Sequence, residues 1–196
     1  MTTADRLTDG QLGFHFDQRF CIACRACQVA CQDLHDLPEG ASYLVVESRE
    51  EGVYPRPTIV HILHGCWHCE QPPCVAACGS GALHKRPETG IVLIDAETCI
   101  HCDLCGPACP YGAIVATPAG NGKCDLCVGA LAAGRAPACV EACPMHVLGV
   151  GPLRSLPGVV PAGHGLPDPT DILPAIRMIA HRDWHSDASP TKETLP

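Results

Sequence analysis

The 196-residue sequence predicts an α+β fold of short strands, short helices and long loops, stabilised by bound metal rather than by a large apolar core. Two observations support this prediction. The chain contains 16 cysteines, which fall into four groups of four with none left over. Aromatic residues make up only 4% of the chain, too few for a conventional core of this size. We therefore expect metal ligation to supply much of the stability, and the metal-free chain to be largely unfolded.

The third cysteine group guides the interpretation of the other three. It has the spacing C-x2-C-x2-C-x3-C-P, which bacterial ferredoxins use to hold iron-sulfur clusters. Three thiolates two residues apart can bind three corners of one cube, and the fourth thiolate serves a neighbouring cube. A group of this kind therefore needs a partner group. Its members are Cys99, Cys102, Cys105 and Cys109.

The first group repeats this spacing, with Gln32 where the proline would stand. Alternating apolar and polar residues at 13–17 predict a short strand that leads into the group. The composition of 27–35 permits a helix. Residues 42–46 and 57–64 predict two strands, which we expect to form a surface hairpin. The members of this group are Cys21, Cys24, Cys27 and Cys31.

The second group has the spacing C-x2-C-x4-C-x3-C, with two prolines in its widened gap. Between this group and the third, the sequence predicts two short strands around a turn at 87–90. The stretch 66–110 can thus form a complete two-cluster ferredoxin-like unit, in which the two groups exchange their fourth cysteines. The two outer groups must then pair with each other. The members of the second group are Cys66, Cys69, Cys74 and Cys78.

The fourth group has eleven residues between its second and third cysteines, a gap that accommodates a short helix. Beyond residue 150 the chain becomes rich in proline and glycine, and then polar and charged. We expect 151–196 to form an extended C-terminal arm, either a flexible tail or a strap folded onto a partner subunit. The members of the fourth group are Cys124, Cys127, Cys139 and Cys143.

Zinc and disulfides are the alternatives to iron-sulfur clusters. Zinc sites generally take their ligands from two C-x2-C units, whereas each group here has a third cysteine downstream and a fourth three residues later. Disulfides usually stabilise short secreted domains, and the N-terminal sequence has neither a signal-peptide pattern nor a twin-arginine pair. No apolar run predicts a membrane span. The net charge of -8 argues against a nucleic-acid partner.

With its four groups in this order, the chain closely resembles the iron-sulfur electron-transfer (beta) subunits of the dimethyl sulfoxide reductase family of molybdoenzymes, along residues 13–150. Local runs add to the resemblance: G-A-L-H-K-R after Cys78, A-C-P-Y-G-A around Cys109 and K-C-D-L-C at Lys123. The iron-sulfur subunits of polysulfide, thiosulfate and arsenate reductases share much of this pattern.

The resemblance implies four 4Fe-4S clusters in two interlocked bacterial-ferredoxin-like modules. The outer module would comprise 11–59 and 111–150, the inner module 60–110, and the arm 151–196. The resemblance also implies four ligand sets, in agreement with the exchange inferred for the inner groups. They are set 1 (Cys21, Cys24, Cys27 and Cys143), set 2 (Cys66, Cys69, Cys74 and Cys109), set 3 (Cys99, Cys102, Cys105 and Cys78) and set 4 (Cys124, Cys127, Cys139 and Cys31).

Fully ligated cubes transfer single electrons, so we expect no catalytic residue in this chain. The resemblance implies a partner that carries molybdopterin guanine dinucleotide and catalyses S-oxide, N-oxide or sulfur-compound reduction, and usually a membrane subunit that reacts with quinone. It also implies a location on the outer face of the cytoplasmic membrane, by export with a twin-arginine-bearing partner, with the cytoplasm as the alternative. The competing hypotheses are a free-standing polyferredoxin that serves soluble hydrogenases or formate dehydrogenases, and a zinc-stabilised interaction module.

Residues beside the clusters are candidates for tuning their reduction potentials. A cation near a cube favours the added electron, which singles out Lys123, Lys85 and Arg86. His68 and His101 lie within cysteine groups, and with every cube filled by cysteine we interpret them as surrounding or exposed residues rather than ligands.

Overall fold

The computed structural model describes residues 10–117, 120–163, 166–167 and 171–182. Short helices occur together with short strands within these ranges, and four of the five strand pairings are antiparallel, in agreement with the α+β prediction. The strands are β1 (Leu12–Asp17), β2 (Leu44–Val53), β3 (Arg56–Gly65), β4 (Leu83–Lys85), β5 (Val92–Ile94), β6 (Val115–Thr117), β7 (Gly120–Gly122), β8 (Leu148–Pro152) and β9 (Ile176–Ile179). The α-helices are α1 (Ala26–Leu34), α2 (Pro73–Ala76), α3 (Cys105–Ala108), α4 (Val128–Ala132) and α5 (Ala138–Glu141).

A three-stranded sheet has β1 at its centre, antiparallel to β8 and parallel to β9. The strand predicted at 13–17 is confirmed, because β1 spans it. Phe14 and Phe16 of β1 are almost fully buried, and the Phe14 ring packs edge-on against Trp67 with 5.7 Å between ring centroids. The first strand thus anchors the chain beside the cysteine loops.

The C-terminal region differs from the predicted arm in two segments. Strand β8 continues to Pro152, two residues into the predicted arm. Residues 176–179 form β9, and Ile176 and Met178 are buried against β1. The backbone of Met178 also exchanges two hydrogen bonds with that of Val159. The reason is the apolar alternation of this segment, which completes the sheet of its own chain. The last fourteen residues of the predicted arm, 183–196, lie outside the described residues.

The hairpin predicted between the first two cysteine groups is confirmed. Strands β2 and β3 pair over their full ten residues, from Leu44 opposite Gly65 to Val53 opposite Arg56. The base of the hairpin is buried, whereas Val53 and Tyr54 at its tip are exposed. Strand β3 runs across the boundary between 59 and 60 that the resemblance implied for the two modules.

Two shorter hairpins lie nearer the later cysteine groups. The pair β4–β5 confirms the two strands predicted between the second and third groups. The pair β6–β7 was not predicted, because the β7 sequence Gly-Asn-Gly has none of the β-branched or aromatic residues that are typical of strands.

The described helices are short. Helix α1 confirms the prediction at 27–35, and α4 confirms the helix predicted in the fourth group. Within the described ranges, no helix combines the length and the apolar character needed to cross a membrane. The main buried cluster joins β1, the base of the long hairpin and the cysteine loops, with Cys27, Cys139 and Cys143 among its members.

Candidate metal-cluster sites

Each cysteine group follows the same local plan. The third cysteine occupies the first or second position of a short helix, and the fourth lies within that helix or just after its end. The third cysteines are Cys27 in α1, Cys74 in α2, Cys105 in α3 and Cys139 in α5. The first two cysteines precede this helix in a loop, so three thiols can face one point in space.

The loops between these cysteines adopt unusual backbone conformations. Seven of the ten described non-glycine residues with positive φ lie inside the cysteine groups. They are Ala23, Arg25, His68, His101, Asp103, Leu126 and Cys127. Such conformations cost on the order of 1 kcal/mol each and persist only where the surroundings enforce them. A metal cluster bound by several thiolates is a constraint of that kind, so these loops fit the group that the spacing predicts.

One cavity brings together cysteines from the first and fourth groups. It has an empty volume of about 360 Å³, counting its open mouth, and apolar side chains such as Phe16, Leu63 and Leu148 line it. Its cysteines are Cys21, Cys24, Cys27 and Cys143, the members of set 1. The apolar lining limits water access to the thiols.

A second cavity brings together cysteines from the second and third groups. Its empty volume is also about 360 Å³, and Leu83, Ile94 and Ile100 contribute to its lining. Its cysteines are Cys78, Cys99, Cys102 and Cys105, the members of set 3. Each of the two cavities thus gathers four cysteines from two different groups of the sequence.

Electrostatic interactions among the thiols link the members of set 2. Burial raises the pKa of Cys69 to about 12, and the charges of Cys66, Cys109 and Cys74 add to the rise. A buried thiol of this kind forms a thiolate only when positive charge compensates it. Iron supplies such charge, so the environment of Cys69 fits a metal ligand.

Helix packing brings cysteines of set 4 together, because α1, which carries Cys31, packs against α5, which carries Cys139. Burial raises the pKa of Cys139, and the charges of Cys127 and Cys31 add to the rise. The pKa of Cys124 is likewise raised by burial, with a smaller contribution from Cys139. The side chains of His35 and Asp125 lie near Cys127, with donor atoms within 4.8 Å of one another. That arrangement could hold a metal ion only by taking a thiol from set 4.

Packing and hydrogen bonds relate the sets to one another. Cys27 and Cys143 of set 1 belong to the same buried cluster as Cys139 of set 4. Lys123 donates to the carbonyl of Cys124 in set 4 and to that of Val92, whose N–H donates to His68 between two cysteines of set 2.

Helices α2 and α3, which carry the third cysteines of sets 2 and 3, pack together. These neighbours place the four sets in the order 1, 4, 2, 3.

Several N–H groups point at cysteine sulfur atoms. The backbone N–H of Leu83 donates to Cys78 Sγ across 3.3 Å, and Leu126 donates to Cys124 Sγ across 3.3 Å. The pKa of Cys78 is lowered, chiefly by the bond from Leu83. Hydrogen bonds to ligand sulfurs stabilise the negative charge of a cluster and raise its reduction potential.

Sequence reasoning missed the side chain of Asn121 as a donor to sulfur. The Asn121 amide Nδ2 lies 3.7 Å from Cys105 Sγ and donates to Asp103 Oδ1 across 2.6 Å. Asn121 belongs to β7, and no motif in the sequence connects this hairpin with the third cysteine group. Only the pairing of β6 with β7 brings the amide to set 3.

The two histidines within cysteine groups differ in their surroundings. His101 is exposed, whereas His68 is only 3% exposed. The Nδ1 atom of His68 accepts a hydrogen bond from the backbone N–H of Val92 across 3.0 Å, so the ring proton lies on Nε2. This Nε2–H is buried and has no hydrogen-bond partner among the described residues. An unpaired buried donor costs about 1–3 kcal/mol, and a sulfur-rich cluster beside Cys69 would supply an acceptor.

The three cationic candidates also differ. Arg86 is exposed, and Lys85 donates to the carbonyl of Cys69 across 3.0 Å and lies 3.8 Å from the Glu70 carboxylate. Lys123 is buried, with 6% of its surface exposed. The sequence offers no reason to rank these three residues as candidates for tuning a cluster. Their burial in the structure distinguishes them.

Known proteins match most of the chain. Two models described as 4Fe-4S dicluster domains match residues 20–82 and 59–153. A chain of the anaerobic dimethyl sulfoxide reductase of Escherichia coli (strain K12) is 40% identical over 156 residues, which cover 74% of this chain and 76% of that protein.

Two further relatives come from other reductases and dehydrogenases. The thiosulfate reductase electron transfer subunit PhsB of Salmonella typhi is 40% identical over 154 residues, with 76% of this chain and 79% of that protein covered. A sulfite dehydrogenase subunit of Allochromatium vinosum is 36% identical over 159 residues, covering 69% of this chain and 66% of that protein. The chain belongs to the iron-sulfur electron-transfer subunits of the dimethyl sulfoxide reductase family of molybdoenzymes.

Proposed function

We propose that this chain holds four 4Fe-4S clusters and relays single electrons between a molybdopterin-containing catalytic subunit and a membrane subunit that reacts with quinone. Sets 1 to 4 would each ligate one cube through four thiolates. The single observation that carries the proposal is the order of the sets, 1, 4, 2, 3, because a row of cubes gives an electron one continuous route.

The two ends of this row differ from its middle. The exposed cysteines are Cys24 in set 1 and Cys102 in set 3, whereas every cysteine of sets 2 and 4 is at least partly buried. Exposed apolar residues flank both ends, with Ile22 58% exposed beside Cys24, and Ile100 68% exposed beside Cys102. Two exposed ends with apolar borders support the proposal that a different partner covers each end.

The cubes supply the one-electron chemistry when they are bound. The chain contributes the cysteine thiolates, the apolar lining that limits water, and the N–H groups directed at sulfur. These are the features by which a protein sets the potential of a cluster without changing its ligands.

The names of the relatives support the class of partner. One relative belongs to a dimethyl sulfoxide reductase and another is an electron transfer subunit of thiosulfate reductase. We propose a catalytic partner of the same general kind, which reduces an S-oxide, an N-oxide or a sulfur compound. The location on the outer face of the cytoplasmic membrane, by export with a twin-arginine-bearing partner, stays a prediction.

The test is elemental analysis of the intact complex, isolated anaerobically from its native host through a tag on this chain. We expect about 16 irons and a matching amount of acid-labile sulfide per chain, together with stoichiometric molybdenum. The same iron content without molybdenum or any partner subunit would favour the free-standing polyferredoxin. Zinc in place of iron would refute both hypotheses.

A further inference from the structure

Lys123 is a buried cation whose hydrogen bonds go only to neutral groups. Its Nζ donates to the backbone carbonyl of Val92 and, across 2.8 Å, to that of Cys124. None of the ion pairs among the described residues includes Lys123. Burying an ammonium without a compensating negative charge costs several kcal/mol. The fold therefore needs an anion near this side chain.

The hydrogen bonds of Lys123 connect it with two different ligand sets. Cys124, whose carbonyl accepts from Nζ, is a member of set 4. Val92, the other acceptor, donates its N–H to Nδ1 of His68 across 3.0 Å, and His68 lies between Cys66 and Cys69 of set 2 in the sequence. One ammonium group thus lies beside both middle sets of the row, whose cubes carry negative charge when bound.

The position of Lys123 coincides with the junction between these two sets. Its carbonyl partner Val92 lies in β5, between the second and third cysteine groups, whereas Lys123 directly precedes the fourth group. An electron that passes along the row must cross here.

We propose that Lys123 places a positive charge at this junction, and that its ammonium group stabilises the reduced state of both middle clusters. The inference rests on the proposed function, because it requires cubes in sets 2 and 4. Each transfer moves one electron from a reduced cube to its oxidised neighbour, and no proton is involved. A charge near both cubes raises both potentials, so the driving force between them changes only by the difference between the two shifts.

Lys85, beside set 2, provides a matched control. Its Nζ also donates to backbone carbonyls, those of Cys69 and Glu70, but it lies 3.8 Å from the Glu70 carboxylate. Its side chain is 23% exposed, so both the carboxylate and water screen its charge. The structure therefore distinguishes a compensated lysine from an uncompensated one.

The experiment is a redox titration followed by electron paramagnetic resonance on the tagged, anaerobically isolated protein with its partners. In Lys123→Met we expect the midpoint potentials of two of the four clusters to fall. For a one-electron couple, a fall of about 59 mV in the midpoint potential lowers the ratio of reduced to oxidised cluster tenfold at a fixed solution potential. Lys123→Arg should keep both potentials near those of the unmodified protein, and Lys85→Met should shift them much less than Lys123→Met.

Two outcomes would overturn the inference. Unchanged potentials in a Lys123→Met protein with full iron content would mean that the charge has no redox role. Loss of iron from both Lys123→Met and Lys123→Gln, but not from Lys123→Arg, would assign the charge to cluster assembly instead. The proposed function fails separately, if the unmodified protein carries fewer than four clusters or isolates without a molybdenum partner.

Discussion

His68 and Val92 are joined by a hydrogen bond of 3.0 Å from the Val92 N–H to the His68 Nδ1 atom. The carbonyl of the same Val92 accepts from Lys123, so one residue of β5 connects the imidazole with the buried ammonium. Burial, followed by the charge of Lys123, holds the pKa of His68 well below its ordinary value. The ring is therefore neutral, with its proton on the buried Nε2 atom.

Replacing His68 by Phe should lower the potential of one middle cluster, because the Nε2–H is then no longer available to a cluster sulfur. The measurement is a redox titration, together with the hyperfine coupling of an exchangeable proton that disappears in deuterated buffer. His101→Phe is the matched control, since His101 holds the same position before the second cysteine of its group and is exposed. Equal shifts in the two variants would contradict this role for His68.

Replacing Asn121 by Leu should lower the potential of the set 3 cluster, because the amide no longer donates to Cys105 Sγ. The effect should be confined to one of the four signals in a redox titration. Thr117→Val controls for damage to the hairpin, since the Thr117 hydroxyl donates to the Gly120 carbonyl rather than to sulfur. A matching shift in Thr117→Val would assign the effect to hairpin structure.

Replacing Cys143 by Ser should alter the cluster of set 1, although Cys143 belongs to the fourth group in the sequence. We expect Cys143→Ser and Cys21→Ser to change the same resonance signal, and Cys139→Ser to change a different one. The comparison of the three spectra checks the ligand exchange directly. If Cys143→Ser and Cys139→Ser changed the same signal, the fourth group would bind a cube of its own.

Removing iron should largely unfold the chain. Seven cysteines are buried, several of them in the main apolar cluster, and the loops around them adopt conformations that the bare backbone disfavours. Circular dichroism of a demetallated, reduced sample checks this expectation, and reconstitution with iron and sulfide should restore the native spectrum. A native-like spectrum without iron would show that the apolar core is sufficient.

Local patterns predicted the strands and helices that lie next to the cysteines. The alternation at 13–17 became β1, and the two runs flanking the turn at 87–90 became β4 and β5. These elements were predictable because alternation and cysteine spacing are properties of a few consecutive residues. Strands β6, β7, β8 and β9 were not predicted, since such short segments, several of them rich in glycine or flanked by proline, become strands only when a partner strand is present.

The sequence by itself determined the four cysteine groups and, through their spacing, the class of cofactor, because three thiols two residues apart can reach one point whatever the rest of the chain does. The tertiary structure alone decided which surrounding groups face those cysteines. Three features depend on segments that meet only after folding: the burial of Lys123, the unpaired Nε2–H of His68, and the position of the Asn121 amide beside Cys105. Potentials respond to charge and hydrogen bonds in space, so these three residues could be ranked only once the packing was known.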